Sequence, residues 1–148
     1  MNPWDIHAAL SAKHAQHVVL IHFPIALFLA GIALDVAASW TRRRDLAMAA
    51  YYNLAFAALS ALPAAATGLL AWQWELEGRR LKGILLLHLL SGCASALLIV
   101  AAWWIHRRVR SHPEQSLSGF RWPLEVIAVM LVTLTGHLGG FLSGVNHP

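Results

Sequence analysis

Four long apolar runs separated by short polar connections set the pattern of this chain: Val18 to Ser39, Leu46 to Trp72, Ile84 to Ile105 and Trp122 to Val145. Crossing roughly 30 Å of hydrocarbon takes about 20 mostly apolar residues in a helix, and each run reaches that length. The runs are rich in Ala and Leu and lack period-two alternation, which argues against strands. The pattern predicts an all-α fold: an integral membrane four-helix bundle, one domain over residues 1–148. Short connections make an up-and-down antiparallel topology the simplest, with helices one and three diagonal to each other. Residues 1–16, with Trp4, Ile6 and Leu10, read as a short helix lying on the membrane surface. They lack the basic start and apolar run of a cleavable signal peptide, so insertion is expected to be driven by the spans themselves. The segment His112 to Gly119 reads as a solvated turn.

Composition agrees with this reading. Of 148 residues, 58% are hydrophobic and only 12% charged, which excludes a water-soluble domain of ordinary make-up. The formal net charge of +4 resides in short basic runs between the spans instead of on a soluble surface, so a nucleic-acid partner is set aside. Arg42, Arg43, Arg44, Arg107, Arg108, Arg110 and Arg121 fall on one side of the membrane, against Lys13, Arg79, Arg80 and Lys82 on the other. That asymmetry places the arginine-rich side in the cytoplasm and both termini in the periplasm or cell exterior. Trp40, Trp103, Trp104 and Trp122 mark one interface and Trp72 and Trp74 the other, as rings that prefer the headgroup level should. The single cysteine, Cys93, excludes an intramolecular disulfide and reads as an inert residue facing span packing.

Nine histidines are the anomaly in so apolar a chain. His22 and His88 lie roughly 6 Å inward of the starts of their spans and His137 roughly 12 Å inward of the end of its own, all on the same side, with His17 and His147 at the edge. Small or weakly polar residues accompany them at helical spacing: Ser91, Gly92 and Ser95 with His88; Thr133, Gly140 and Gly144 with His137; and Asn53, Ala57, Ala61, Ala64 and Gly68 on the second span. Such stripes either let backbones approach closely or leave room for a flat cofactor. An imidazole in hydrocarbon must satisfy both a lone pair and an N–H. Three at matched depth favour a functional cluster over packing.

Haem b held by two imidazoles from different helices suits this arrangement. The expected axial ligands are His22 and His88, with His137 replacing one of them or forming a second site with His17, for one haem or two. A copper or zinc site built from the same histidines is the competing use. No HxxxH pair supports it, and His17 and His22, five residues apart, point roughly 140° away from each other unless Pro24 distorts that turn.

His17-Val-Val-Leu-Ile-His22-Phe23-Pro24-Ile25, Leu62-Pro63-Ala-Ala-Ala-Thr-Gly68, His88, and Gly136-His137-Leu-Gly139-Gly140 with His147 together resemble a bacterial family of small four-helix membrane proteins of unknown function. The resemblance covers roughly residues 15 to 148. It implies a multi-pass protein of the bacterial inner membrane and haem binding, sometimes in association with Rieske iron–sulfur proteins. The chain departs from the family pattern in Val18, where a Pro usually follows the first His, and in Pro148, where a Gly usually follows the last.

The resulting expectation is an electron-transfer protein instead of an enzyme, since no nucleophile–base pair, nucleotide loop or carboxylate dyad is present. It would relay electrons between the quinone pool or a membrane partner and a separate periplasmic redox protein. The alternatives are a metal-binding or transport protein and a structural subunit of a larger respiratory complex. Asp35 and Glu125, near the arginine-rich ends of their spans, are expected to pair with Arg42, Arg43, Arg44 or Arg121, or else to serve a proton path. His7, His14, His106 and His112 are expected at the surface.

Overall fold

The computed structural model describes residues 13–74, 77–78, 80–112 and 119–144. It contains four helices, α1 (Lys13–Thr41), α2 (Arg44–Trp74), α3 (Gly83–Ser111) and α4 (Arg121–Leu142). All four are long and apolar enough to cross a membrane, and no strand occurs among the described residues. The bundle is antiparallel: His17 at the start of α1 meets Ala64 near the end of α2, and His88 early in α3 meets Thr135 late in α4. Sequential helices pack along their lengths, whereas α1 and α4 barely touch.

The first three helices overrun the apolar windows that announce them, because a helix keeps making i→i−4 hydrogen bonds until a turn stops it. Lys13 to Gln16 thus belong to α1, while the rest of the stretch read as a surface helix, with His7, lies outside the described residues. The fourth helix ends at Leu142, where the Ser143 amide donates to the Gly139 carbonyl at 2.9 Å; residues 145–148, with His147, lie outside the described residues. So do most of the turn 112–119 and residues 75–76 and 79 of the α2–α3 connection.

Every helix carries a row of buried positions at spacings of three and four: Pro24, Phe28, Gly31, Asp35 and Ala38 on α1; Leu54, Ala57, Ala61 and Ala64 on α2; Ser91, Ser95, Ile99, Ala102 and His106 on α3; Arg121, Glu125, Ala128 and Val132 on α4. This is the seam of a bundle whose helices run nearly side by side. On α2 the seam is almost all alanine, which lets α1 approach closely; in lipid, where apolar surface gains nothing by hiding from its solvent, such packing is a main source of helix association. Phe28 and Leu54, both fully buried, fill the middle. Outward residues such as Phe23, Leu59, Leu62, Leu97 and Met130 are exposed and apolar, as a lipid-facing surface requires. Cys93 is among the exposed residues and does not face the helix packing expected of it.

Candidate functional site

The inner seam carries polar groups at both ends and apolar ones between. His17 and Asp35 on α1, His88 and His106 on α3, and Gly139 and Arg121 on α4 are each eighteen positions apart. Eighteen residues are five full turns and about 27 Å of rise, so each pair shares one helix face at the two edges of the hydrocarbon. Phe28, Leu54, Ile99 and Val132 occupy the interval.

At the first end, the His17 Nδ1–H donates to the Ala64 carbonyl at 3.0 Å, with Thr67 Oγ1 3.3 Å away. The His88 Nδ1–H donates to the Thr135 carbonyl at 3.1 Å. Each imidazole of one helix is thus tied to the backbone of the next. The two rings stand edge to face with centroids 6.4 Å apart, across the diagonal between α1 and α3. Glycines make the seats: a Cβ at Gly68 would lie 2.9 Å from His17 Cε1, and one at Gly139 would lie 3.2 Å from His88 Cε1. Below His88, Thr135 Oγ1 and Ser95 Oγ are 3.2 Å apart, and the Ser91 hydroxyl donates to the His88 carbonyl at 3.2 Å.

The other two inward-counted histidines do not join this pair. His22 is exposed and its Nδ1–H donates to the Val18 carbonyl of its own helix at 2.6 Å. His137 is exposed and packs edge-on against Phe141 at 5.0 Å. Both sit at the right depth on the wrong side of their helices for the inner seam. The Thr133 on the stripe of His137 is likewise exposed, its hydroxyl donating to the Val129 carbonyl at 2.9 Å.

At the second end lies a cluster of four buried charged or titratable side chains. Arg121 donates to Asp35 Oδ2 through Nη1 and to Ser39 Oγ through Nη2 at 2.8 Å. The His106 Nε2–H donates to Glu125 Oε1 at 3.1 Å, and His106 Nδ1 lies 4.0 Å from Asp35 Oδ1. Asp35 is 3% exposed, Glu125 1%, Arg121 6% and His106 7%, so the group is shut off from solvent and lipid alike. Asp35 pairs with Arg121, one of the partners expected for it, while His106 is buried instead of standing at the surface. The signal for His106 was its eighteen-residue offset from His88, which fixes both to one face.

Outside the cluster, Arg107 lies over Trp103 and Trp104 at 5.4 and 5.5 Å and Arg110 over Tyr51 at 4.8 Å, while Arg121 of the cluster has Trp122 beside it at 4.2 Å. Such stacking holds cations at headgroup level beside the aromatic belt. A groove of about 330 Å³ between α3 and α4, lined by Leu87, Leu90, Leu131, Leu134 and Leu138 among others, offers almost no polar atoms and suits a lipid chain.

Four apolar spans around a seam with polar groups at both ends define a small multi-pass membrane protein. Residues 13–146 match the family described as Predicted membrane protein (DUF2231), and the chain belongs to that family. The description carries no activity, and neither haem nor a Rieske protein is part of it. No curated protein and no solved structure matches the chain.

Proposed function

We propose that this protein binds haem b, with His17 and His88 as the two axial ligands, and carries single electrons at one face of the membrane. The observation that supports this reading is the His17–His88 pair. Both rings give Nδ1–H to a backbone carbonyl of a neighbouring helix, which fixes the tautomer and the ring, an arrangement common to metal-ligating imidazoles. The two rings lie 6.4 Å apart and edge to face, close enough to hold one metal once one ring turns so that both Nε2 atoms address it.

The number of imidazoles favours haem over a bare ion. A zinc or copper site asks the protein for three or four ligands, yet His22 and His137 face outward and, among the described residues, two imidazoles converge. A porphyrin supplies four nitrogens itself and asks for two side chains. Contact between α1 and α4 is slight, so a flat macrocycle would approach the pair from that side. When bound, the haem would supply one-electron iron chemistry; the chain itself would contribute ligation, ring orientation through Ala64 and Thr135, and an apolar surround.

With the arginine-rich side in the cytoplasm, this site faces the periplasm, where a separate redox protein can dock, while the quinone pool or a membrane partner exchanges electrons from within the bilayer. Haem quantified on the purified protein, expressed with adequate haem supply, tests the reading. About one haem per chain is expected, lost in His17→Ala and in His88→Ala and kept in His137→Ala. A folded protein free of haem under those conditions contradicts it.

A further inference from the structure

We propose that Asp35, His106 and Glu125 form a divalent-cation site at the arginine end of the bundle, with Arg121 holding Asp35 in place. This goes beyond the haem reading and does not depend on it. The three ligands come from three helices, all are buried, and their ligand atoms lie within 4.8 Å of one another. A point between three such atoms is at most roughly 2.8 Å from each, so side-chain shifts of less than about 1 Å bring all three to the roughly 2.0–2.2 Å of zinc–nitrogen and zinc–oxygen bonds. His106 Nε2 and Glu125 Oε1, 3.1 Å apart, take the spacing of neighbouring ligands on one ion when the proton between them moves to Nδ1 and the ion replaces it.

A second observation points to a ligand. Glu125 Oε2 is buried and has no hydrogen-bond partner among the described residues. An orphaned carboxylate oxygen in a dry interior is costly, and a cation relieves it. Arg121 takes Asp35 Oδ2 and leaves Oδ1 toward His106, the outer support that ligating carboxylates commonly have. One imidazole and two carboxylates, with no thiolate, select a first-row divalent ion such as Zn²⁺ or Mn²⁺ over Cu(I), and the imidazole selects against Mg²⁺ and Ca²⁺.

The test is titration of the chelator-treated, detergent-purified full chain with Zn²⁺, with bound metal counted after desalting. The proposal predicts about one Zn²⁺ per chain. Binding should weaken at least tenfold in Glu125→Gln, which keeps an acceptor for His106, and in Asp35→Asn, and should persist in a His17→Ala/His88→Ala variant. Substoichiometric Zn²⁺ on the wild-type chain overturns the proposal and leaves the cluster a structural ion-pair network. So does stoichiometric binding that survives Glu125→Gln and Asp35→Asn but disappears with His17 and His88, because the metal then sits at the other end.

Discussion

Gly68 of α2 lies against the imidazole of His17 so closely that a methyl group in place of its hydrogen would stand 2.9 Å from Cε1. The ring cannot retreat without giving up its hydrogen bond to Ala64, which sits one turn earlier on the same helix. Gly139 stands in the same relation to His88. Two glycines therefore set where two histidines point.

Gly68→Ala is accordingly expected to displace the His17 ring and Gly139→Ala, with its looser 3.2 Å contact, to disturb His88 less. Overpacking of this kind costs about 1–3 kcal/mol. Thermal melts in detergent, together with haem retained after purification, check this; Gly68→Ala should lower both more than Gly139→Ala does.

Arg121→Met leaves the Asp35 carboxylate buried with its strongest partner gone. Removing one member of a buried ion pair costs about 3–5 kcal/mol, because the remaining charge is uncompensated. Adding Asp35→Leu to Arg121→Met should recover much of that loss. A double-mutant cycle of unfolding in mixed micelles measures the coupling, and strictly additive effects would contradict a paired cluster.

The alanine seam of α2 supports a third expectation. Ala57 is fully buried where α1 and α2 approach, so Ala57→Leu should separate them and destabilise the fold by about 1–3 kcal/mol. The same change at exposed Ala65 should be neutral. Melting temperatures of the two variants give the comparison directly.

The sequence and the structure part company on azimuth, not on depth. Hydropathy located all four spans, and small-residue spacing located the inner face of α2, since Ala57, Ala61, Ala64 and Gly68 recur every three or four residues. Depth alone favours His22, inward of the span's start, over His17 at its edge, and depth does not say which of them lies on the inner face. His17 shares the face of Phe28 and Asp35, and His22 points to the outside of the same helix. A polar residue near a span end also looks the same in sequence whether it reaches headgroups or turns inward. His106 turns inward because its face is fixed by Ser95, Ile99 and Ala102, and because Asp35 and Glu125 on two other helices await it. That last condition depends on tertiary contact, which no local pattern encodes.

Orientation follows from the basic residues. The α1–α2 connection, with Arg42, Arg43 and Arg44, is expected in the cytoplasm. Single cysteines introduced at Arg42 and at Gly78 in a Cys93→Ala background should differ in labelling by a membrane-impermeant thiol reagent on intact spheroplasts. Position 78 should react and position 42 should react only after lysis.

Which histidines face each other decides where a haem would bind. The reduced-minus-oxidised absorption spectrum and low-temperature electron paramagnetic resonance of haem-loaded wild type, His17→Ala and His22→Ala decide it. A low-spin bis-imidazole signature in the wild type and in His22→Ala, abolished or converted to high spin in His17→Ala, is the predicted result. A low-spin signature that survives in His17→Ala and vanishes in His22→Ala would contradict the pairing of His17 with His88.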